Sequence, residues 1–385
     1  MTKTIYLDNS ATTKVDKEVV IAMDKYYLDE YGNASSNHHK GAEAKKALEN
    51  SRKIIAESIG AHPDEIIFTS GGTESNNLAV KEIAFANMGK HIIISKIEHD
   101  CILNTAKFLE KVGFKVTYLD VDKEGFVNPD NLEKAITKDT IIVSIIHANN
   151  EIGTIQDIKK LGEICKKKKV LFHTDACQSF TKTELDVNKQ YLDLVTLNAH
   201  KIHGPKGVGA LYIRKGIKLN PFFHGGGHEK GIRSGTENIP GIVGFAESAR
   251  IGINNMKTNK ENMLKLRDYL IEGLLKIDGT SLNGPTGESR LCNNINVSFR
   301  YIEGESIIAG LDESGICAST GSACSSHTLD PSHVMMALED NAERAHGSIR
   351  FSLSKYSTKQ EIDFTLEKIK KVVEKLRKIS PLNGD

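Results

Sequence analysis

Lys201 is the residue whose surroundings are most able to change its chemistry. It lies in a turn rich in glycine and proline, between the apolar segments 193–197 and 207–213, which we predict to be buried strands. A lysine between two core strands is partly removed from water, and desolvation or a neighbouring cation favours its neutral amine. The neutral amine is a nucleophile towards carbonyl carbon. The alternative is an ordinary solvated turn lysine.

A glycine turn at residues 70–75, Ser-Gly-Gly-Thr-Glu-Ser, joins a predicted strand to a predicted helix. The free N–H groups and the dipole at a helix N-terminus bind phosphate well. Simple helix capping is the alternative. The nucleoside-triphosphate pattern GxxxxGK[ST] does not occur in the chain, so a P-loop is excluded.

Asp175 and His99 each follow a predicted strand, 170–174 and 90–95. In open α/β sheets, ligands bind outside the carboxyl ends of the strands, so both side chains are candidates for a ligand site. An aspartate there could equally cap the next helix, and a lone histidine is usually structural. Asn150, which follows a third predicted strand, belongs to the same edge.

Arg350 and Cys324 lie in the C-terminal part of the chain. Arg350 opens a predicted strand, and a guanidinium can hold a carboxylate through two parallel hydrogen bonds. A surface salt bridge is the alternative. Cys324 lies in the run 319–327, Ser-Thr-Gly-Ser-Ala-Cys-Ser-Ser-His, whose small polar residues favour a mobile exposed loop. A cysteine is more often buried and structural, and Cys317, next to Ile316, fits that description better.

The elements that must position these residues fall into two groups. Strands and helices alternate from about residue 60 to 213, which predicts a mostly parallel sheet covered on both faces. Beyond about residue 260 the order changes to that of a smaller α+β domain. The predicted strands are 65–69, 90–95, 115–119, 140–146, 170–174, 193–197 and 207–213, then 294–299 and 350–353; the predicted helices are 73–86, 104–112, 129–137 and 157–168, then 259–277, 304–314 and 359–379.

Composition excludes several classes of protein. The 385 residues carry 51 Lys+Arg against 50 Asp+Glu, which argues against bulk binding of nucleic acid or membranes. No apolar run approaches the ~20 residues that span a bilayer, and the first residues do not form an apolar stretch of signal-peptide length, so we expect a cytoplasmic protein. The six cysteines contain no CxxC pair, so neither a disulfide framework nor a metal site is expected.

A series of short motifs, in one order along nearly the whole chain, resembles the cysteine desulfurases of the NifS/IscS family, which are class V enzymes dependent on pyridoxal 5'-phosphate (PLP). The motifs are at residues 6–13, 31–36, 68–75, 98–99, 149–153, 175–178, 198–207, 233–236, 321–324 and 347–352. The resemblance implies the PLP-dependent transferase fold type I. It also implies that residues 1–14 join residues 259–385 in the small domain, which leaves 15–258 as the large PLP-binding domain.

The resemblance also implies a cofactor site. Lys201 would form the Schiff base, Asp175 would face the pyridine nitrogen, and His99 would stack on the ring and transfer protons. The other implied cofactor contacts are Gly72, Thr73, Asn198 and His200 at the phosphate, with Thr236 reaching in from a second subunit, Gln178 at the phenolic oxygen and Asn150 beside the ring. Asn198 stands where the family usually has serine, but both side chains can donate a hydrogen bond.

The activity implied by the resemblance is conversion of L-cysteine to L-alanine. Asn150 and Arg350 would bind the substrate, and Cys324 would accept its sulfur as a persulfide. The implied assembly is a homodimer, and the implied acceptors are an iron–sulfur scaffold protein or other sulfur acceptors such as tRNA-thiolation proteins. Selenocysteine lyase and class V aminotransferase stay open as alternatives, although an aminotransferase needs no thiol. An inactive partner or sulfur carrier is a further alternative, against which the complete cofactor set argues.

Overall fold

Twelve strands form in residues 4–320 and 331–381, the part of the chain that the computed structural model describes. They are β1 Ile5–Tyr6, β2 Ile66–Thr69, β3 His91–Ser95, β4 Lys115–Leu119, β5 Thr140–Ser144, β6 Leu171–Asp175, β7 Leu194–Asn198, β8 Gly209–Ile213, β9 Thr280–Leu282, β10 Asn294–Phe299, β11 Ile316–Cys317 and β12 Ser348–Ser352.

The α-helices are distributed along the whole of this described part. They are α1 Lys17–Leu28, α2 His39–Glu57, α3 Gly72–Asn77, α4 Ile83–Ala86, α5 Asp100–Lys111, α6 Pro129–Ala135, α7 Ile158–Lys168, α8 Ile239–Asn254, α9 Met256–Leu274, α10 Gly304–Asp312, α11 His333–Leu338, α12 Ala342–His346 and α13 Lys359–Ile379. A π-helical turn, Leu78–Glu82, joins α3 to α4. None of the described helices is long and apolar enough to span a bilayer.

The large sheet has seven strands in the order β2-β8-β7-β6-β5-β3-β4. Neighbours from β7 to β4 pair in parallel, whereas β8 runs antiparallel to both β2 and β7. Every residue of β3, β7 and β8 is buried, because helices and two apolar clusters cover both faces. The carboxyl ends of β2, β3, β5, β6 and β7 therefore meet at one edge, and this edge carries the predicted ligand residues.

The second sheet is antiparallel, in the order β12-β10-β9, and has its own apolar cluster. Helices α9, α10 and α13 pack around it. The N-terminal segment runs alongside: β1 pairs with β11, and the N–H of Ser352 donates to the Leu7 carbonyl at 2.6 Å. These contacts are consistent with a large domain of residues 15–258 and a small domain formed by residues 1–14 and 259–385. This division into domains stays a prediction.

The predicted fold class is confirmed, and most element bounds agree within two residues. One difference lies beside the site, because α5 begins at Asp100 rather than at residue 104. The His99 ring accepts a hydrogen bond from the Cys101 N–H at 3.2 Å and so caps the helix four residues earlier. Ordinary propensities would not predict this start, since histidine is an uncommon N-cap.

Candidate functional site

Residues that are far apart in sequence meet where the carboxyl edge of the large sheet faces the second sheet. Asp175 ends β6 and Asn198 ends β7, while the loops after β2, β3 and β5 bring the turn 70–75, His99 and Asn150. The turn between β7 and β8 carries Lys201, as its position between two core strands predicted. Arg350 approaches from β12.

The glycine turn forms a narrow cradle against β7 and the segment after β6. Gly71 has φ 154° and ψ −175°, a conformation that side chains rarely adopt. A Cβ on Gly72 would lie 2.8 Å from the Cys177 Sγ and 3.5 Å from the Asn198 Nδ2. The exposed Thr73 follows in the first turn of α3. The lack of a side chain at position 72 therefore leaves the backbone N–H groups of this helix start open to a phosphate.

Asp175 is buried, and its carboxylate is held by two donors. The Asn76 side chain donates to Oδ2 at 2.7 Å, and the Cys177 N–H donates to Oδ1 at 2.9 Å. Asn76 lies one helical turn beyond Gly72, so α3 contributes both the cradle and a partner for the aspartate. The carboxylate is thus fixed in orientation at the edge of the sheet.

Lys201 is partly buried, and its ammonium donates to the main-chain carbonyl of Ser10. The Gln178 side chain donates to the same carbonyl at 2.9 Å, while its own Oε1 is buried without a hydrogen-bond partner. The N-terminal segment therefore closes the site from one side. This contact forms only in the folded protein, because Ser10 and Lys201 are 191 positions apart in the sequence.

His200 precedes the lysine and faces the N-terminal segment as well, with Nδ1 3.2 Å from the Thr12 Oγ1. Burial lowers the pKa of His200 to about 4, and the positive charges of Lys201, Lys206 and Lys182 act in the same direction. The imidazole is therefore neutral at neutral pH and can serve as a hydrogen-bond donor without adding charge.

Glu98, directly before His99, is fully buried. Its Oε1 accepts from the Ser95 hydroxyl at 2.5 Å and from the Ile146 N–H at 2.7 Å, and its Oε2 has no partner. Burial raises the pKa of Glu98 to about 8, and the nearby carboxylate of Asp175 adds to this. Beside the fixed carboxylate of Asp175, the site thus contains the carboxyl of Glu98, which keeps its proton at neutral pH.

Arg350 is 3% exposed and already holds one carboxylate. Its Nη2 lies 3.0 Å from the Asp8 Oδ1, its Nη1 donates to the Asn150 carbonyl at 3.3 Å, and its Nε is buried without a partner. The pair is not a surface salt bridge, because the Arg350 side chain is almost fully buried and that of Asp8 is only partly exposed. A free Nε is a donor that an incoming carboxylate can use.

One predicted residue is not brought into this cluster. Thr236 is exposed, and its side chain makes no hydrogen bond to any residue in the described ranges. Cys324 lies outside the described residues. Of the other cysteines, Cys165, Cys177 and Cys292 are buried, while Cys101 and Cys317 are partly exposed.

Buried polar atoms without partners converge at the site. Such atoms are rare in folded proteins, and each needs an explanation such as an absent polar ligand. Those at this edge are the Ser10 Oγ, Asn76 Oδ1, Glu98 Oε2, Gln178 Oε1, Asn198 Oδ1 and Arg350 Nε. Together with the cradle at Gly72, they fit a ligand that carries a phosphate and several other polar atoms, as PLP does. No three His, Cys, Asp or Glu residues in the described ranges are grouped to hold a metal ion.

Three residues of this site were not predicted from the sequence. Asn76 could have been found by its helical spacing from Gly72, and Asp8 by its place in the motif at residues 6–13. Lys182, whose ammonium donates to the Gln178 carbonyl at 2.9 Å, had no local signal.

Comparisons with known proteins agree with this geometry. The model of the class-V aminotransferase family matches residues 5–364. The cysteine desulfurase IscS of Dictyoglomus turgidum is 52% identical to this chain over 384 residues, which are 99% of this chain and 97% of the relative.

Solved structures show the same likeness. A NifS-like protein superposes with a TM-score of 0.92 at 41% identity, covering 97% of this chain and all of the other. A structure described as SspA in complex with cysteine superposes with a TM-score of 0.82 at 37% identity, covering 92% of this chain and all of the other. Both agree with the two-sheet architecture on which the site is built.

Proposed function

Because the chain belongs to the class-V aminotransferase family and, within it, to the cysteine desulfurases, we propose that it converts L-cysteine to L-alanine and transfers the sulfur to a thiol of its own. The observation that carries this proposal is the convergence of the Lys201 amine, the fixed Asp175 carboxylate and the free Nε of Arg350 at one edge of the sheet. PLP requires an amine for its Schiff base and an anion opposite its ring nitrogen. An amino-acid substrate requires a cation that binds its carboxylate.

PLP is the cofactor we propose. When bound, it supplies a ring that withdraws electrons from the Cα of an attached amino acid. Asp175 would hold the pyridine nitrogen in its protonated form, and Gln178 would donate to the phenolic oxygen. The phosphate would lie at Gly72 and Thr73, with Asn198 and His200 beside it, and Thr236 would reach it from a second subunit.

Arg350 and Asn150 would hold the substrate carboxylate. In the structure Arg350 is paired with Asp8, so its guanidinium is oriented before any substrate arrives. A carboxylate that approaches Nε and Nη can add to this arrangement or replace Asp8. Either way, the buried guanidinium is never left without an anion, which would be strongly unfavourable in the interior.

Lys201 and His99 would move protons. Lys201 in its neutral form accepts the proton from the substrate Cα, and either residue can return a proton on the way to alanine. His99 is tied to the Cys101 N–H through Nδ1, which fixes the ring plane against the helix start.

Cys324 would be the sulfur acceptor. Its thiolate attacks the substrate sulfur, the carbon–sulfur bond breaks, and a sulfur–sulfur bond forms, so that L-cysteine and the enzyme thiol become L-alanine and an enzyme persulfide. We also propose a homodimer and, as partner, an iron–sulfur scaffold protein or another sulfur-accepting protein. We propose a cytoplasmic location because cysteine thiols stay reduced in that compartment, and the acceptor must be a free thiol.

The test is to expose the PLP-loaded protein to L-cysteine, measure alanine and locate added sulfur by mass spectrometry. Cys324→Ser should bind cysteine and change the visible spectrum but form no persulfide, whereas the control Cys317→Ser should behave as the wild type. Persulfide on another cysteine in the wild type, or undiminished alanine release in Cys324→Ser, would refute the assignment. Transamination of alanine and a keto acid would favour the aminotransferase alternative, and a strong preference for selenocysteine would favour the lyase.

A further inference from the structure

A second lysine, Lys182, lies directly behind Lys201. Its ammonium donates to the Gln178 carbonyl at 2.9 Å and to the Lys201 carbonyl at 3.2 Å. Both lysines line the same small cavity of about 30 Å³, which is enough for a water molecule. The lysine proposed to form the Schiff base is therefore held at its own backbone by another cation.

Lys182 has no anionic partner to explain its position. Within the described residues, its ammonium makes no ion pair, and both of its hydrogen bonds go to neutral carbonyls. Burial lowers the pKa of Lys182 to about 8, and the charge of Lys201 acts in the same direction. At neutral pH Lys182 is still mostly charged. A lysine in a cavity, whose pKa is lowered by burial and by a neighbouring charge, is a candidate functional residue.

We propose that Lys182 is a positioning residue for Lys201: its ammonium anchors the Lys201 backbone, and its positive charge favours the neutral amine of Lys201. The inference deepens the proposed function, on which it rests, because a lysine must be neutral to attack a carbonyl or to accept the Cα proton. A like charge nearby disfavours the protonated amine. The charge of Lys182 would thus decrease the fraction of Lys201 that is protonated at neutral pH.

Other titratable groups also face the two amines. The neighbours on the lysine turn and on the surrounding elements are His200, His203, Lys206, Lys355, Asp16, Asp175, Cys177 and Cys292. Asp16 is already paired with Lys355 and bonded to the Tyr356 hydroxyl, so its charge is largely compensated. Burial raises the pKa of Cys292, so this thiol is neutral and adds no charge beside Lys182.

The experiment measures the protonation of Lys201 directly. The full-length protein without cofactor is treated with traces of acetic anhydride at a series of pH values, and acetylation of Lys201 is quantified by mass spectrometry. Lys182→Met should raise the midpoint pH of Lys201 labelling by about one unit, so that roughly tenfold less amine reacts at neutral pH. Lys182→Gln, which keeps a donor but no charge, should behave like Lys182→Met, and Lys182→Arg like the wild type.

Matched measurements separate this inference from a structural effect. The exposed Lys166, changed to Met, should leave the Lys201 midpoint unchanged. In the PLP-loaded enzyme, the pH midpoint of the visible absorption change should rise in Lys182→Met by a similar amount. An unchanged labelling midpoint in Lys182→Met, or wild-type behaviour of Lys182→Gln, would overturn the electrostatic role. Because labelling needs no substrate, its result is independent of whether the protein proves to be a desulfurase.

Discussion

Arg350 shows how a single buried guanidinium is prepared for a substrate. Asp8 and the Asn150 carbonyl hold its two terminal nitrogens, while Nε stays free. The planar guanidinium is thereby oriented, while the N–H of its Nε stays available to a substrate. A lysine at this position would offer a single compact charge and could not make two parallel bonds to a carboxylate.

We therefore predict that Arg350→Lys lowers kcat/KM for L-cysteine by about 10- to 100-fold, because a charge-assisted hydrogen bond contributes about 1.5–3 kcal/mol. The loss should appear mainly in KM, and PLP binding, followed by visible absorption, should be unaffected. Arg344→Lys is the control, since Arg344 lies on α12 and bonds to Glu339 and Asn283. An unchanged KM in Arg350→Lys would mean that the substrate carboxylate binds elsewhere.

Glu98 should make stability depend on pH. Its pKa is raised to about 8 in the folded protein, from an ordinary value of 4.5, because the carboxyl is buried. The folded state therefore holds a proton that the unfolded state releases between these values. The stability that this proton contributes is fully present below about pH 4.5 and is lost as the pH rises through about 8.

We predict that the free energy of unfolding of Glu98→Gln falls less between pH 5 and pH 8, roughly, than that of the wild type, because an amide cannot release the proton. Chemical denaturation at several pH values measures this difference. Glu49→Gln serves as a control, because Glu49 lies on the surface of α2 with its side chain half exposed. Parallel pH profiles for wild type and Glu98→Gln would contradict the assignment of a protonated Glu98.

At the scale of elements, a substitution at the start of α3 tests whether the glycine cradle binds the phosphate. An alanine at position 72 would place its Cβ 2.8 Å from the Cys177 Sγ, so either the helix or the thiol must shift. Overpacking of this kind typically costs about 1–3 kcal/mol. A shift of the helix would also move the backbone N–H groups that we propose for the phosphate.

We predict that Gly72→Ala weakens PLP binding by roughly tenfold or more, measured as displacement of the cofactor in an equilibrium titration. The double variant Gly72→Ala/Cys177→Ala should regain much of the affinity, because it removes the Sγ. Cys177→Ala alone is the control and should bind PLP as the wild type does. If the double variant is as weak as the single one, the new methyl group must obstruct the phosphate itself.

At the scale of the whole molecule, α1 presents an apolar surface. Helix α1 packs against α8, yet apolar side chains on and just after α1 are 52–74% exposed: Val20, Ile21, Tyr27, Leu28 and Tyr31. Several large apolar side chains exposed on one helix indicate a candidate interface. A second copy of the chain is the partner we expect, since the proposed site takes Thr236 from another subunit.

Sedimentation should therefore show a dimer for the wild type and mainly a monomer for Ile21→Glu, because a buried carboxylate in a symmetric interface is introduced twice. The variant should also lose PLP affinity if Thr236 of one subunit contacts the phosphate in the other. Lys17→Glu, at the exposed start of α1, is the control. A fully active monomer would refute the shared site.

The sequence by itself determined the parts of this protein that depend on local pattern. Alternating apolar and helical segments predicted the parallel sheet, and strand ends predicted the edge at which Asp175, His99 and Asn150 lie. The motif at Lys201 predicted a lysine between two core strands. Each of these follows from the periodicity of a short segment, which is present in the residue order itself.

Only the tertiary structure decided the charges and partners within the site. Asp8 pairs with Arg350 across 342 positions, and Ser10 meets Lys201 across 191. The proton on Glu98 results from burial by elements that come from other parts of the chain, and Lys182 lies behind Lys201 only because the two turns are packed together. Desolvation and long-range pairing depend on the distances between elements, and no local pattern contains those distances.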